Sequence, residues 1–142
     1  MAKKYSPAQI ELMNMKEQDG RTKYPSVPSY ARPKPSIKTT DANSLTKAII
    51  DYIDLSGGWA TRISVEGRYI ESLGRRIPSS VKKGTADIHA VYKGKHLSIE
   101  VKIGADRQSD EQKEVEKSII KAGGFYFIAK TFEDFHQWIN NL

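Results

Sequence analysis

Two carboxylates and one amine, those of Asp87, Glu100 and Lys102, lie within a single short segment that could bring them together. This segment, residues 84–102, reads GTADIHAVYKGKHLSIEVK and has an alternating run on each side of Lys93-Gly94. The pattern is typical of a β-hairpin with a two-residue turn. In that register Asp87 lies directly opposite Glu100, and Lys102 shares their face because side chains alternate along a strand. A loop one residue longer would move Asp87 off that face.

Carboxylates that face each other on neighbouring strands repel, since their Cβ atoms are only about 4.5–5.5 Å apart. A positive group between Asp87 and Glu100 would offset the repulsion, and either Lys102 or, better, a divalent cation could supply it. The other interpretation is a cross-strand charge cluster on a solvated face. His89 shares the Asp87 face, where it could serve as an acid–base group or simply be a polar strand residue.

The composition of the 142-residue chain excludes several kinds of site. It has no cysteine, which excludes thiol nucleophiles, disulfides and cysteine-ligated zinc, and three histidines argue against a multi-histidine metal site. No segment has the pattern of a signal peptide or the length to cross a bilayer. We therefore expect a cytoplasmic location, one domain with a sizeable core, and no membrane partner.

Positive charge is concentrated towards the N-terminus. Residues 1–40 hold eight basic and three acidic residues, residues 41–83 seven and five, and residues 84–142 eight and nine. We interpret this as a protein that meets phosphate on one side of a near-neutral core, with charge for solubility as the alternative. The candidate DNA-binding residues are Arg62, Arg68, Arg75, Arg76, Lys82 and Lys83.

The first 40 residues are predicted to form a basic, proline-rich arm, separate from a domain at residues 41–142. Ser6-Pro7-Ala8-Gln9 is typical of a capping box that begins a short helix, which we expect to end near Gln18. Residues 19–40 are polar, basic and rich in proline, a composition that favours extended or disordered structure.

The elements that must position the three charged residues follow the order α, β, β, β, α, β, α. Apolar residues at helical spacing after Asp41 predict a helix that ends at Gly57-Gly58, and a short strand is expected at Trp59–Val65. The basic stretch at residues 67–83 has glycine and proline breakers, and it leads to the hairpin, residues 85–103.

After the hairpin, a second capping box at Ser109 begins a helix that should bury three apolar residues, Val115, Ile119 and Ala122. Phe125–Ala129 is apolar throughout, which predicts a parallel strand buried on both faces, and Thr131 should cap a last helix. The fold class is therefore α/β, with a mixed four-stranded sheet and helices on both faces.

The charged residues of the hairpin and the order of the elements resemble those of a known group of nucleases. Asp87, followed thirteen residues later by Glu100-Val101-Lys102, matches the D…(D/E)xK signature of restriction-endonuclease-like nucleases, and αβββαβ is the order of their core. Gly84-Thr85-Ala86-Asp87 and Ser109-Asp110-Glu111-Gln112 more closely resemble the VRR-NUC family, the virus-type replication and repair nucleases. The resemblance covers about residues 41–139.

The resemblance implies a restriction-endonuclease-like fold in which Asp87, Glu100 and the main-chain carbonyl of Val101 bind Mg²⁺ or Mn²⁺. Lys102 would position the attacking water or neutralise the transition state, and Gln112 would lie near the metal. A capping box alone would also explain Gln112.

Relatives in this family often carry a metal-binding glutamate on the first helix of the core. The candidates at that place in this chain are Asn43 and Asp41. An asparagine would be a weaker, neutral ligand, which leaves the number of metal ions open.

The resemblance also implies a structure-specific DNA endonuclease that acts at junctions, flaps or splayed ends in replication, recombination or repair. Many members of the family are phage-encoded, and relatives are often homodimers. Two alternatives stay open: a crippled nuclease fold that binds branched DNA without cutting it, for which Asn43 argues, and a basic architectural protein that binds DNA or RNA.

Overall fold

The computed structural model describes residues 2–64 and 66–142, and its centre is a four-stranded mixed β-sheet flanked by helices. The helices are α1 (Pro7–Lys23), α2 (Ala42–Leu55), α3 (Asp110–Lys121) and α4 (Phe132–Ile139), with 3₁₀ turns at Ser29–Ala31 and Glu71–Leu73. The strands are β1 (Trp59–Arg62), β2 (Arg68–Ile70), β3 (Arg75–Ile77), β4 (Ile88–Tyr92), β5 (Lys95–Val101) and β6 (Phe125–Ala129). Within the described ranges, no helix combines the length and the apolar character needed to span a membrane.

The four-stranded sheet has the order β1-β4-β5-β6 and is antiparallel except between β5 and β6. Tyr92 lies opposite Lys95, which confirms the predicted two-residue turn. Both turn residues, Lys93 and Gly94, have positive φ, of 50° and 74°. This is the geometry of a type I′ turn, and its twist matches that of the two strands it joins.

The two faces of the sheet differ in chemistry. Leu97 and Ile99 of β5 point to an apolar face, where α1, α2 and α4 contribute to one hydrophobic core. Ser98 and Glu100 of the same strand point to the opposite face. Helix α3 lies over that face, because its Gln112 donates a hydrogen bond to Glu100.

Helix α3 and strand β6 are less buried than their patterns predict. Val115 and Ile119 are half-buried and Ala122 is exposed, so α3 has no fully buried residue. Strand β6 is parallel to β5, as predicted, but it is the edge strand of the sheet and residues 125–128 are only half-buried. The expectation of burial on both faces is therefore wrong, since an apolar run does not distinguish an edge strand from a central one.

Three of the first 40 residues, Ala8, Leu12 and Ile37, are buried in the hydrophobic core, which corrects the prediction of an arm separate from the domain. Helix α1 continues to Lys23 instead of ending near Gln18, and its Leu12 is buried in the same core as Ile37. Arg32 pairs with Glu17 at 3.1 Å, which fastens the proline-rich segment to α1. Proline prevents regular helix but does not prevent an extended chain from packing on one.

The basic stretch at residues 67–83 contains a short ribbon that its breakers did not predict. Strands β2 and β3 pair antiparallel, with Arg68 opposite Ile77. Gly67 permits this closure, because a Cβ there would lie 2.4 Å from the carbonyl oxygen of Ile77. Val65, where the preceding strand was predicted to end, lies outside the described residues.

Candidate active site

The polar face of the β4–β5 hairpin holds Asp87 and Glu100 side by side. Ile88 lies opposite Ile99, so the preceding residue Asp87 lies opposite Glu100, as the register predicted. The carboxylate of Asp87 accepts a hydrogen bond from the backbone N–H of Val101 at 2.8 Å. This bond fixes the Asp87 side chain against β5 at the open end of the hairpin.

The two oxygens of Glu100, a residue only 1% exposed, have different surroundings. Oε1 accepts a hydrogen bond from Gln112 Nε2 at 2.6 Å and lies 3.5 Å from Lys102 Nζ. Oε2 is buried and has no hydrogen-bond partner among the described residues. A buried charged oxygen without a partner is costly, so this atom needs either a proton or a cation.

Burial raises the pKa of Glu100 to about 8, and the neighbouring Asp87 adds to the effect by charge repulsion and by accepting a hydrogen bond from the protonated form of Glu100. Lys102 acts in the opposite direction but does not cancel them. At neutral pH the pair of carboxyls therefore retains a proton unless another cation takes its place.

A hard divalent cation suits this set of donors. Mg²⁺ is commonly bound by one or two carboxylates and takes its remaining ligands from water and substrate phosphate. Asp87 and the unpartnered Oε2 of Glu100 are two such carboxylate donors. Residues 2–64 and 66–142 contain no group of three or more His, Cys, Asp and Glu that could hold a metal. An ion here would thus need other oxygens, such as the main-chain carbonyl of Val101 that the resemblance implies.

Gln112 forms the predicted capping box and also contacts Glu100. Its Oε1 accepts the backbone N–H of Ser109 at 2.8 Å while its own N–H donates to Ser109 Oγ at 3.2 Å, so the predicted capping box exists. Its Nε2 at the same time donates to Glu100. The cap therefore fixes the side chain that orients the buried carboxylate.

The chain just before Asp87 docks against the first turn of α3. Gly84 has a φ of 87°, and a Cβ there would lie 2.5 Å from the carbonyl oxygen of Glu111. Lys83 Nζ forms an ion pair with the Glu111 carboxylate at 2.9 Å. Only glycine combines this backbone conformation with this close approach, so Gly84 lets the segment with Asp87 and the helix with Gln112 meet.

Lys102 lies near the pair but on one side of it. The residue is 8% exposed, and its Nζ lies 3.5 Å from Glu100 Oε1 and 3.7 Å from Asp106 Oδ2. Within the described residues it forms no ion pair with Asp87. Lys102 therefore offsets part of the charge of Glu100 and leaves Asp87 without a lysine partner.

His89 lies on the Asp87 face, as predicted, but its described partner is another histidine. Its Nδ1 lies 3.1 Å from Nε2 of His96, and burial together with His96 lowers its pKa. Its Nε2, like Oγ of the opposing Ser98, is buried without a partner among the described residues. A neutral His89 could accept or donate a proton only through a group that reaches this buried nitrogen.

The structure does not bring Asn43 or Asp41 to the carboxylate pair. Oδ1 of Asn43 accepts a hydrogen bond from Arg62 at 2.8 Å, and Arg62 lies opposite the core residue Ile88, so it leaves the sheet on the face away from Asp87. The prediction that Asn43 serves as a ligand therefore lacks the necessary geometry.

Asp41 is the N-cap of α2 and is fully occupied there. It accepts the N–H of Ser44 at 2.9 Å and pairs with Lys38 at 2.8 Å. The hydrogen-bonded ammonium of Lys38 is the main cause that lowers the pKa of Asp41 to about 2.

The predicted DNA-binding residues lie on different elements. Arg62 is engaged with α2, and Lys83 is paired with α3. The ribbon is exposed on both faces, and its Arg76 is fixed by a hydrogen bond to the carbonyl of Gly67 at 2.8 Å. The remaining exposed candidates are Arg68, Arg75 and Lys82.

A basic pocket that no sequence pattern indicated adjoins the carboxylates. Its volume is about 350 Å³, and Lys102 forms part of its wall. The other lining residues are Asp106, Arg107, Gln108, Lys113, Ile128 and Lys130. These cations come from a loop, a helix and the end of a strand, so no local run of charge reveals them.

Tyr126 is the other neighbour that sequence reasoning missed, because it lies within a run read as purely apolar. It is opposite Ser98, and its hydroxyl lies 3.4 Å from Gln108 Nε2. Burial is the main cause that raises its pKa to about 12, with the negative charge of Glu100 as a further cause. Because Tyr126 lies opposite Ser98, its side chain leaves the sheet on the same face as Glu100.

No family model matches the chain, and no curated protein matches it. The functional proposal therefore depends on the geometry of the site.

Proposed function

We propose that this protein is a divalent-metal-dependent endonuclease that hydrolyses phosphodiester bonds of DNA at junctions, flaps or splayed ends. The observation that carries the proposal is the pair of Asp87 and buried Glu100, with one Glu100 oxygen unpartnered and the other held by Gln112. A restriction-endonuclease-like core of the VRR-NUC type is part of the proposal, as are a phage origin, a role in replication, recombination or repair, and a homodimer.

Each residue of the site has a chemical task under this proposal. When bound, Mg²⁺ or Mn²⁺ would supply an activated water and stabilise the charge that develops on the phosphate. Asp87 and Glu100 would hold the ion, and Gln112 would occupy Glu100 Oε1 so that Oε2 stays available to it. Lys102, 3.5 Å from Glu100, would donate a hydrogen bond to the attacking water or to the phosphate oxygen.

Recognition of shape is proposed because the basic residues suit contacts with phosphate. Phosphate contacts give affinity and salt dependence but carry no direct sequence information. The exposed arginines Arg68 and Arg75 on the ribbon are proposed to contact phosphates of a second arm of a branched substrate.

Cleavage of a panel of labelled nucleic acids tests the proposal: duplex, single strand, flap, splayed arms and four-way junction, with an RNA counterpart of each. Each substrate is incubated with Mg²⁺, Mn²⁺ or EDTA, using wild type, Asp87→Asn and the matched exposed control Asp134→Asn. We expect metal-dependent cleavage that Asp87→Asn abolishes and Asp134→Asn retains. Cleavage that survives Asp87→Asn would contradict the assigned site.

A non-cutting protein that binds branched DNA is the second candidate, and one observation favours it. The described residues bring only two carboxylates, and not three, to the proposed metal position. Asn43 is hydrogen-bonded to Arg62, away from this pair. In the same panel, this candidate predicts structure-selective binding without cleavage in every metal.

A further inference from the structure

The basic pocket beside the carboxylate pair lies at the C-terminal ends of the parallel strands β5 and β6. The backbone N–H of Lys102, just after β5, donates to the carbonyl of Ala129, at the end of β6, at 2.9 Å. Four cationic side chains and one carboxylate line the pocket: Lys102, Arg107, Lys113, Lys130 and Asp106. Positive charge thus exceeds negative charge in a concave space of about 350 Å³.

Among the described residues, most of this positive charge lacks a close carboxylate partner. Arg107 uses Nη1 for the backbone carbonyls of Gly104 and Asp106, at 3.4 and 3.0 Å, and within the described ranges neither it nor Lys130 pairs with a carboxylate. Lys113 pairs only loosely with Asp110, at 3.9 Å. A concave space lined mainly by side chains of one charge sign favours the binding of an ion of the opposite sign.

The pocket and the carboxylate pair share Lys102. Its Nζ lies 3.5 Å from Glu100 Oε1 and the residue forms part of the pocket wall, so an anion in the pocket would lie beside the proposed cleavage site. The guanidinium of Arg107 presents a planar set of donors that matches phosphate, whereas lysines act as point charges.

We infer that this pocket binds one phosphate of the substrate strand, next to the phosphate at Asp87 and Glu100, and so fixes which bond is cut. The role in cleavage rests on the proposed function, whereas binding of the phosphate does not. Arg107, Lys113 and Lys130 are then positioning residues, and the occupant is an internal phosphodiester of a nucleic acid.

Binding measurements test the pocket without relying on catalysis. Arg107→Ala, Lys130→Ala and their combination are made in an Asp87→Asn background, and binding of a labelled flap DNA is measured in EDTA at several salt concentrations. Lys121→Ala, at the far end of α3, is the matched control for loss of one exposed positive charge. We expect about tenfold weaker binding for each pocket variant, with a salt slope lower by about one. Binding equal to that of Lys121→Ala would overturn the inference.

A walk with single neutral methylphosphonates identifies the phosphate itself. We expect one position to weaken binding of the Asp87→Asn protein about tenfold and to have no effect in the Arg107→Ala, Lys130→Ala combination. If every methylphosphonate weakens binding of the combined variant as much as it weakens binding of the Asp87→Asn protein, the pocket holds no particular phosphate and the inference fails. The inference would also be overturned if inorganic phosphate competed for the pocket while no position of the DNA strand affected binding.

The two proposals fail separately in these experiments. If wild type cuts nothing with Mg²⁺ or Mn²⁺ but the binding series gives the expected pattern, the nuclease proposal fails and the pocket stands. If wild type cuts and the pocket variants cut at the same bond with unchanged KM, the pocket has no part in positioning.

Discussion

Replacement of Glu100 by glutamine should stabilise the protein at high pH in the absence of divalent cations. The amide oxygen can still accept the hydrogen bond from Gln112, and the amide N–H₂ can donate to Asp87 where two carboxyls now meet. The substitution thus removes a buried charge and retains the shape of the side chain.

The magnitude follows from the pKa of Glu100, which folding raises from 4.5 to about 8. Because the folded state retains the proton over this range and the unfolded state does not, the free energy of unfolding falls as pH rises from 4.5 and levels off above 8. One pKa unit corresponds to 1.36 kcal/mol, so the loss amounts to at most about 5 kcal/mol. Even a loss of about 2 kcal/mol would lower Tm by roughly 4–8 °C in a domain of this size.

The assay is thermal unfolding of wild type, Glu100→Gln and the exposed control Glu114→Gln in EDTA between pH 5 and pH 9. We expect Tm of wild type and Glu114→Gln to fall together with rising pH, and Tm of Glu100→Gln to fall less. Added Mg²⁺ or Mn²⁺ should restore wild type at pH 8 by mass action and leave Glu100→Gln unchanged. Parallel pH profiles for Glu100→Gln and wild type would refute the reasoning, because Glu100 would then ionise as it does in the unfolded chain.

Four other changes test separate parts of the structure. Gly84→Ala should lower the free energy of unfolding by a few kcal/mol, measured in urea. The residue has a left-handed conformation, and the added Cβ would meet the backbone of α3. His96→Ala should raise the pKa of His89 in an NMR titration, since the proximity of His96 is one cause of its lowered value. Asn43→Ala should leave the Mg²⁺-dependent shift in Tm unchanged, and a lost shift would return Asn43 to the site. Leu12→Ala should cost about 2–5 kcal/mol of unfolding free energy, whereas an arm outside the core would lose nothing.

The part of the site that lies on the hairpin could be predicted because its geometry is local. A period of two and a two-residue turn determine which residues face each other, so Asp87 and Glu100 follow from the sequence alone. The same is true of the capping box that contains Gln112, since it depends on residues three apart. The sequence alone does not predict the contact between Gln112 and Glu100, because that contact depends on how α3 packs on the sheet.

The errors concern packing between elements that are distant in sequence. The proline-rich composition after α1 predicts an arm outside the core. In the structure, Leu12 and Ile37 are buried in the same core as the main helices. The basic pocket was missed for the same reason, because Lys102, Arg107 and Lys130 meet only when β5 and β6 align. Local runs of charge predicted only the exposed ribbon, because such runs can be recognised from neighbouring residues.

The different burial of the two halves of the site has a consequence for its function. Glu100 lies on a strand at the centre of the sheet, whereas Gln112 and Lys113 lie on α3, which has no fully buried residue. Helices with few buried apolar contacts open at lower free energy than core strands. A phosphate bound by Lys113 and by Lys102 would connect α3 to the sheet and oppose that opening. Substrate should therefore slow amide exchange in the first turns of α3 more than in β5, and equal protection of both would show that α3 is already fixed in the free protein.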